Sequence, residues 1–209
     1  MNLMFEFVKI EKVPTTSWTS EKALNFKPKL ITLAALIIGL FLFGLGEALL
    51  VTSQMGVSPW TALAQGLSNV TGSGLGLATF IISVFVLLLW IPLKQKPGIG
   101  TILNAIIISL TLHYAIPFMP IFEQNILRIS QAILGVFVTG LGGGIYLIAN
   151  LGPGARDGLM TGMQRITNFP IAWVRSSIEI MVLTVGWLLG GVIGLGTIIF
   201  ALGIGPCLA

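Results

Sequence analysis

Long apolar stretches separated by short polar ones run along the chain from residue 30 onward. A helix needs about 20 apolar residues to cross the hydrocarbon core of a bilayer. Six stretches come near that length: Leu30–Val51, Leu75–Leu93, Ile99–Phe118, Ile126–Ile148, Ile171–Leu189 and Val192–Leu208. The pattern predicts an all-α, polytopic membrane protein with six transmembrane helices, whose surroundings are a lipid bilayer.

The composition agrees with this class. Hydrophobic residues make up 55% of the 209 residues and charged residues 9%, and the mean hydropathy is +0.99. A soluble domain carries about 25% charged residues, so lipid must cover most of this surface. The net charge of +4 then reflects membrane topology, and we expect no nucleic-acid partner. With 1 cysteine and 1 histidine, we expect no disulfide framework, metal site or cofactor.

The basic residues lie almost entirely on one side of the predicted topology. With the N-terminus inside, the outer side receives Arg128, and the inner side receives Lys9, Lys12, Lys22, Lys27, Lys29, Lys94, Lys96, Arg156 and Arg165. The positive-inside rule therefore places both termini in the cytoplasm. Residues 1–29 are predicted to be a cytoplasmic tail without a cleavage site, with a short surface helix over residues 1–13.

The chain repeats itself after 96 residues. Gly44–Gly46 aligns without a gap with Gly140–Gly142, and further glycines and threonines stay in register. We therefore predict two units of three spans each, residues 30–118 and 119–209. An odd number of spans inverts the second unit, as in many transporters whose site lies between the repeats near the midplane. The alternative is a duplication that only enlarges a helix bundle.

Each unit contains a helical segment too short to cross the membrane. Residues 54–74 and 150–170 begin with a glycine-containing turn and continue as helices of roughly 10 residues, or some 15 Å. Such a segment either enters the membrane and returns, or lies at its surface as an interfacial connection. In the re-entrant interpretation, the helix ends that follow Ser58 and Gly154 present free N–H groups and a positive dipole to an anion.

Charged residues distinguish the second unit from the first. Arg156, Asp157, Arg165, Arg175 and Glu179 align with the uncharged Trp60, Thr61, Asn69, Thr79 and Ser83. A charge at mid-membrane costs on the order of 3 kcal/mol. Glu179 is therefore expected to face the bundle, paired with Arg175 four residues away or with a ligand. The substrate-binding or gating candidates are Ser58, Trp60, Thr61, Gly154, Arg156, Asp157, Arg175 and Glu179.

Glu47 and His113 are further polar residues inside predicted spans one and three. Both lie shortly before the outer end of their spans, which predicts a similar depth. A contact between them is interpreted either as a proton-accepting pair or as a neutralised structural pair.

Three motifs carry a resemblance to a known family: Gly56–Trp60, Gly152–Leu159 and Arg175–Glu179. With them the chain resembles the YczE/YyaS/YitT-type bacterial membrane proteins over residues 30–205. That family usually has an acid where this chain has Thr61, and a proline where it has Ala155. The resemblance implies the fold and a multi-pass location in the bacterial plasma (inner) membrane, and implies little about activity.

These patterns favour a secondary or facilitative transporter of a small anionic or zwitterionic solute. Arg156 and the adjacent helix N-terminus are expected to hold the anion, Asp157 to orient Arg156, and Arg175 with Glu179 to form a gate or coupling pair. No phosphate-binding loop and no catalytic trio occur, so neither ATP hydrolysis nor another enzyme activity is expected. The alternative is a non-transporting membrane subunit, such as a solute-binding partner or assembly factor. Assembly with further copies of the chain is left open.

Overall fold

The computed structural model describes residues 15–208, which contain eight α-helices and no strand. The helices are α1 (Leu30–Ser53), α2 (Pro59–Thr71), α3 (Leu75–Leu89), α4 (Ile99–Ala115), α5 (Asn125–Ala149), α6 (Ala155–Thr167), α7 (Ile171–Leu188) and α8 (Leu195–Leu208). A 3₁₀ turn, Ile116–Phe118, extends α4. The predicted surface helix over residues 1–13 lies outside the described residues.

The helix bounds recur at the spacing of the sequence repeat. Helix α2 (Pro59–Thr71) has its counterpart in α6 (Ala155–Thr167), with both ends 96 residues later. Helices α7 and α8 likewise begin 96 residues after α3 and α4. The first half (residues 30–118) and the second half (residues 119–209) therefore contain the same series of one long helix, one short helix and two further helices.

Sharp turns precede both short helices. Gln54 and Asn150 end α1 and α5 in the left-handed conformation, with φ of 55° and 50°. Gly56 and Gly152 follow with φ of 106° and 112°, values that glycine adopts without steric cost. Pro59 then begins α2, in the first turn, where its missing N–H breaks no helical hydrogen bond.

The long helices α1 and α5 run antiparallel and pack closely at the centre of the fold. Gly39 of α1 meets Gly142 of α5, and Gly46 meets Gly135. A Cβ atom on Gly39 would lie 2.9 Å from the carbonyl oxygen of Gly142, and one on Gly135 would lie 2.9 Å from that of Gly46. Such close backbone contact is what associates helices in lipid, where the hydrophobic effect gives no drive between them.

Each half also forms a backbone hydrogen bond to the turn that precedes the short helix of the other half. The Gly100 N–H at the start of α4 donates to the carbonyl oxygen of Leu151 at 2.7 Å. At the corresponding position of the second half, the Gly196 N–H at the start of α8 donates to the carbonyl oxygen of Met55 at 2.6 Å. These reciprocal bonds fix the two turns, and hence the starting points of α2 and α6, against the helices of the opposite half.

The helix lengths and surface identify a membrane protein. Within residues 15–208, four helical segments are long and apolar enough to cross a bilayer: Leu30–Ser53, Ile99–Phe118, Asn125–Ala149 and Ile171–Leu188. The pair α2–α3, bent by 113°, raises the number to five if it counts as one span. Large apolar side chains such as Trp173 and Leu202, 71% and 73% exposed, cover the outer surface, as expected of lipid-facing positions. The predicted number of six spans stays a prediction.

The segment before α1 packs onto the end of α5. The Ser20 N–H donates to the carbonyl oxygen of Ala149 at 3.2 Å, and Asn150 Nδ2 donates to that of Ser20 at 2.8 Å. The Thr32 hydroxyl donates to the carbonyl oxygen of Trp18 at 2.6 Å. The polar tail thus joins the folded bundle from Trp18 onward.

Candidate functional site

A cavity of about 220 Å³ lies where the N-terminal ends of α2 and α6 meet. Ser58 and Pro59 line it at the start of α2, and Gly154 lines it at the start of α6. Helices α1, α4, α5, α7 and α8 supply the remaining walls. Two helix N-termini concentrate unpaired N–H groups and the positive ends of two dipoles in one place. The cavity therefore favours a ligand that carries a negative group.

Arg156 is the basic group beside these helix ends. Its guanidinium lines the cavity and lies over the Trp60 ring, 5.4 Å from the ring centroid. Positions 60 and 156 are 96 residues apart, so corresponding residues of the two halves meet here. Among the described residues, no hydrogen bond or salt bridge is formed by this guanidinium. Its planar set of N–H donors is therefore available to a carboxylate or phosphate.

Asp157 is held by a residue of α5. The Tyr146 hydroxyl donates to Asp157 Oδ2 at 2.7 Å, and both residues line the cavity. A Cβ atom on Gly154 would lie 3.0 Å from that same oxygen and 3.3 Å from the Tyr146 hydroxyl. A glycine at 154 thus leaves the carboxylate accessible. Tyr146 engages Asp157, the Trp60 ring lies against Arg156, and no salt bridge joins Asp157 to Arg156 among the described residues. The expectation that Asp157 orients Arg156 stays a prediction.

Arg175 and Glu179 lie together at the edge of the cavity. Arg175 Nε and Glu179 Oε1 are 2.9 Å apart, within one turn of α7. The two side chains are 47% and 31% exposed and line the same cavity as Arg156. Two basic and two acidic side chains thus face one small space.

Glu47 and His113 do not form the predicted contact. Glu47 is 1% exposed, and its Oε2 accepts hydrogen bonds from Thr61 at 2.6 Å and from Ser58 at 2.8 Å. The start of α2 returns against α1 and brings both hydroxyls to the carboxylate. His113 instead lies exposed, next to Gly76 of α3 and edge-to-face with Tyr114 at 4.9 Å.

The predicted candidates thus fall into two groups. All of the substrate-binding candidates except Thr61 line the cavity, and Thr61 lies behind it, 1% exposed and bonded to Glu47. Within residues 15–208, no cluster of three or more His, Cys, Asp or Glu side chains could hold a metal ion.

Tyr146 and Trp90 support the site and were not among the predicted candidates. Tyr146 lies within predicted span four, 11 residues before Asp157. Its hydroxyl within an apolar span was the sequence feature that could have indicated a site residue. Trp90 Nε1 donates to the carbonyl oxygen of Ala155 at 2.9 Å, and its ring packs on Gly158. The first turn of α6 is therefore anchored from the end of α3.

An apolar helical bundle with charged side chains gathered at one cavity defines a polytopic α-helical membrane protein. The chain belongs to the DUF6198 family, described as a family of unknown function, whose pattern matches residues 30–209.

Three bacterial relatives are similar to the chain. A Haemophilus influenzae "Uncharacterized protein" is 40% identical, over 94% of this chain and 89% of its own. The "Uncharacterized membrane protein YczE" of Bacillus subtilis is 31% identical, over 78% of this chain and 77% of its own. The "Uncharacterized protein YyaS" of the same organism is 29% identical, over 78% of this chain and 83% of its own. These relatives confirm the predicted resemblance to the YczE and YyaS proteins. No solved structure matches the chain.

Proposed function

We propose that this protein is a secondary or facilitative transporter of a small anionic or zwitterionic solute. The observation that carries this proposal is the Arg156 guanidinium, which lines a cavity at the junction of two helix N-termini and has no hydrogen-bond or salt-bridge partner among the described residues. A solute carboxylate would bind Arg156 through paired hydrogen bonds and accept further ones from the helix ends.

The acidic side chains favour a zwitterion within this class. Asp157 and Glu179 line the cavity with Arg156, so a solute amino group would find a carboxylate while its own carboxylate binds the guanidinium. The volume of about 220 Å³ is below the roughly 300–1,000 Å³ of pockets for drug-sized ligands. A solute of amino-acid size fits this space. The Arg175–Glu179 pair would act as the gate, opening when the solute competes for either partner.

The architecture in this proposal is a pair of inverted three-span repeats with six spans in all. Three observations support it: the 96-residue spacing of the helix bounds, the antiparallel crossing of α1 and α5, and the meeting of Trp60 with Arg156. Helices α2 and α6 would then be re-entrant and enter from opposite faces. The turn before α2 is buried from Gly56 to Ser58, as non-helical backbone at membrane depth must be. The location would be the bacterial plasma membrane, with both termini cytoplasmic.

The proposal is tested with purified protein in proteoliposomes and a panel of radiolabelled amino acids and small carboxylates. We expect uptake of at least one member, and Arg156→Ala should reduce it about 10- to 100-fold, the value of a lost charged hydrogen bond or pair of bonds. Arg165→Ala is the matched control, because Arg165 lies on the same helix, is exposed and does not line the cavity.

Equal uptake by wild type and Arg156→Ala would overturn the site. Absence of uptake for the whole panel, together with a partner that co-purifies in a fixed ratio, would favour the alternative of a non-transporting subunit of a larger complex.

A further inference from the structure

Three oxygen atoms form a closed triangle behind the cavity. Glu47 Oε2 lies 2.6 Å from Thr61 Oγ1 and 2.8 Å from Ser58 Oγ, and the two hydroxyl oxygens are 3.0 Å apart. All three side chains are 1% exposed. The second carboxyl oxygen, Glu47 Oε1, is buried without a hydrogen-bond partner among the described residues.

This triangle accommodates the carboxyl group in both protonation states. When Glu47 is ionised, both hydroxyls donate to Oε2. When Oε2 carries a proton, it donates to Ser58, Ser58 donates to Thr61, and Thr61 donates back to Oε2. Every hydroxyl hydrogen has an acceptor in either state, so a proton binds and leaves without an unpaired donor. A carboxylate tied to a backbone N–H or to an arginine would favour the ionised state alone.

Few ionisable residues stand on the elements packed around Glu47. Glu47 is the only ionisable residue in α1, and α2 contains none. Helix α5 contributes Arg128, which donates to the carbonyl oxygens of Ser53 and Gln54. It also contributes Tyr146, which donates to Asp157. Helix α4 contributes His113 and Tyr114, which are both exposed. Arg156 of α6 lies against Trp60, the residue before Thr61, and forms no salt bridge with Glu47.

Ser58 connects this buried acid to the cavity. It lines the cavity wall and donates to Glu47, while Arg156 faces the same cavity from the opposite half. A solute carboxylate bound to Arg156 would therefore neutralise the cation that faces the cavity beside Ser58. An ionised carboxylate buried without a counter-charge is strongly disfavoured, so Glu47 would then take up a proton.

We propose that Glu47 is a proton-binding site coupled to Arg156, through which one proton accompanies each solute carboxylate. The proton comes from the aqueous phase through the Ser58 hydroxyl, converts the carboxylate to the acid while solute occupies Arg156, and leaves when the solute departs. The solute half of this cycle rests on the proposed transport function, whereas the proton site does not.

The first test needs no solute. Infrared difference spectra of full-length protein in lipid, recorded over a pH series, should show the carbonyl band of a buried protonated carboxylic acid. The band should be lost in Glu47→Gln and kept in Glu123→Gln, which removes an exposed carboxylate. A band unchanged in Glu47→Gln would overturn the proposal.

The coupling between Glu47 and Arg156 is tested in the same titration. This test also decides the proposal if Glu47→Gln fails to fold. Arg156→Gln removes the nearby cation, so the midpoint of the band should move about 1–3 pH units upward. Arg165→Gln should leave it in place, and an unmoved midpoint in Arg156→Gln would overturn the coupling. With radiolabelled glycine and succinate as probes in proteoliposomes, Glu47→Gln should lose uptake driven by a proton gradient and keep exchange. Gradient-driven uptake retained in Glu47→Gln would contradict the coupling.

Discussion

In each half of the molecule, a hydrogen bond from a hydroxyl to a carboxylate joins the short helix to the long helix. The helix that carries the donor differs between the two halves. In the first half the carboxylate stands on the long helix, as Glu47 of α1, and the hydroxyls of Ser58 and Thr61 stand on α2. In the second half the hydroxyl stands on the long helix, as Tyr146 of α5, and the carboxylate is Asp157 of α6. Thr61 and Asp157 occupy corresponding positions, 96 residues apart.

This reversal places the acidic side chains of the two halves in different surroundings. Glu47 is hidden behind the cavity wall, whereas Asp157 lines the cavity beside Arg156. The difference teaches that helices with recurring bounds carry different polar groups in the two halves. The second half lines the cavity with charged side chains, and the first half contributes an aromatic ring and a buried acid. Equivalent packing positions should therefore respond equally to mutation, and equivalent polar positions should not.

The largest stability effects are expected at the glycines between the long helices. A Cβ atom on Gly46 would lie 2.6 Å from the Gly135 carbonyl oxygen, and one on its counterpart Gly142 would lie 2.5 Å from that of Gly39. Gly46→Ala and Gly142→Ala should each lower the free energy of unfolding by about 1–3 kcal/mol through overpacking. Unfolding in detergent should show equal losses within about 0.5 kcal/mol.

Gly144→Ala provides the control for this pair. Gly144 lies in α5 with nothing within 4 Å of an added Cβ atom. This change should be neutral or slightly stabilising, since alanine has the higher helix propensity. Losses at Gly46 and Gly142 that differ by more than about 1 kcal/mol would contradict a repeated frame at this crossing.

Removing the two hydrogen bonds from hydroxyl to carboxylate should give unequal effects. Thr61→Val keeps the side-chain shape but leaves the buried Glu47 short of a donor, so it should cost about 1–3 kcal/mol. Tyr146→Phe removes the donor to Asp157, which still lines the cavity beside Arg156, and should cost about 0.5–1.5 kcal/mol. Unfolding of the two variants side by side measures the difference. A larger loss for Tyr146→Phe would show that Asp157, and not Glu47, depends more on its partner.

Much of the frame follows from the sequence because its causes are local. Apolar runs define the long helices, and turns with Gly56 and Gly152 require backbone that glycine adopts easily. The proximity of Arg175 and Glu179 follows from four-residue spacing on one helix. Similar residues recur 96 residues later in the second half, so α6 begins and ends 96 residues after α2.

The contacts across the site could not be read in the same way. Depth along a span suggested a contact between Glu47 and His113, but depth does not tell which side of a helix faces which neighbour. The return of α2 against α1 decides the partners of Glu47, and His113 faces α3. Trp60 with Arg156 and Tyr146 with Asp157 likewise depend on how α2 and α6 approach each other. No sequence spacing encodes that approach.

The end of α3 also differs from the end of the predicted span. The apolar run predicted to continue to Leu93 ends as α3 at Leu89, and Lys94 then adopts a left-handed φ of 52°. Trp90 caps α3, and its side chain donates to the carbonyl oxygen of Ala155. The end of α3 thus coincides with a contact to the other half, which hydropathy does not register.

The smallest stability effect and a distinct functional effect are expected at Arg175 and Glu179. Their counterparts, Thr79 and Ser83, donate to carbonyl oxygens of their own helix at 2.9 Å, so the pair is particular to the second half. Both charged side chains are partly exposed, and Glu179→Gln should therefore lower stability by no more than about 1 kcal/mol.

If the pair is a gate, Glu179→Gln should change the rate of solute exchange far more than stability. The double reversal Arg175→Glu with Glu179→Arg keeps the attraction and should restore exchange in part, because the gate needs a pair and not a particular order. Thr79→Ala is the matched control on α3 and should leave exchange unchanged. Exchange in Glu179→Gln equal to wild type would mean that the pair only stabilises α7, and the asymmetry between the halves would then reduce to Arg156 and Asp157.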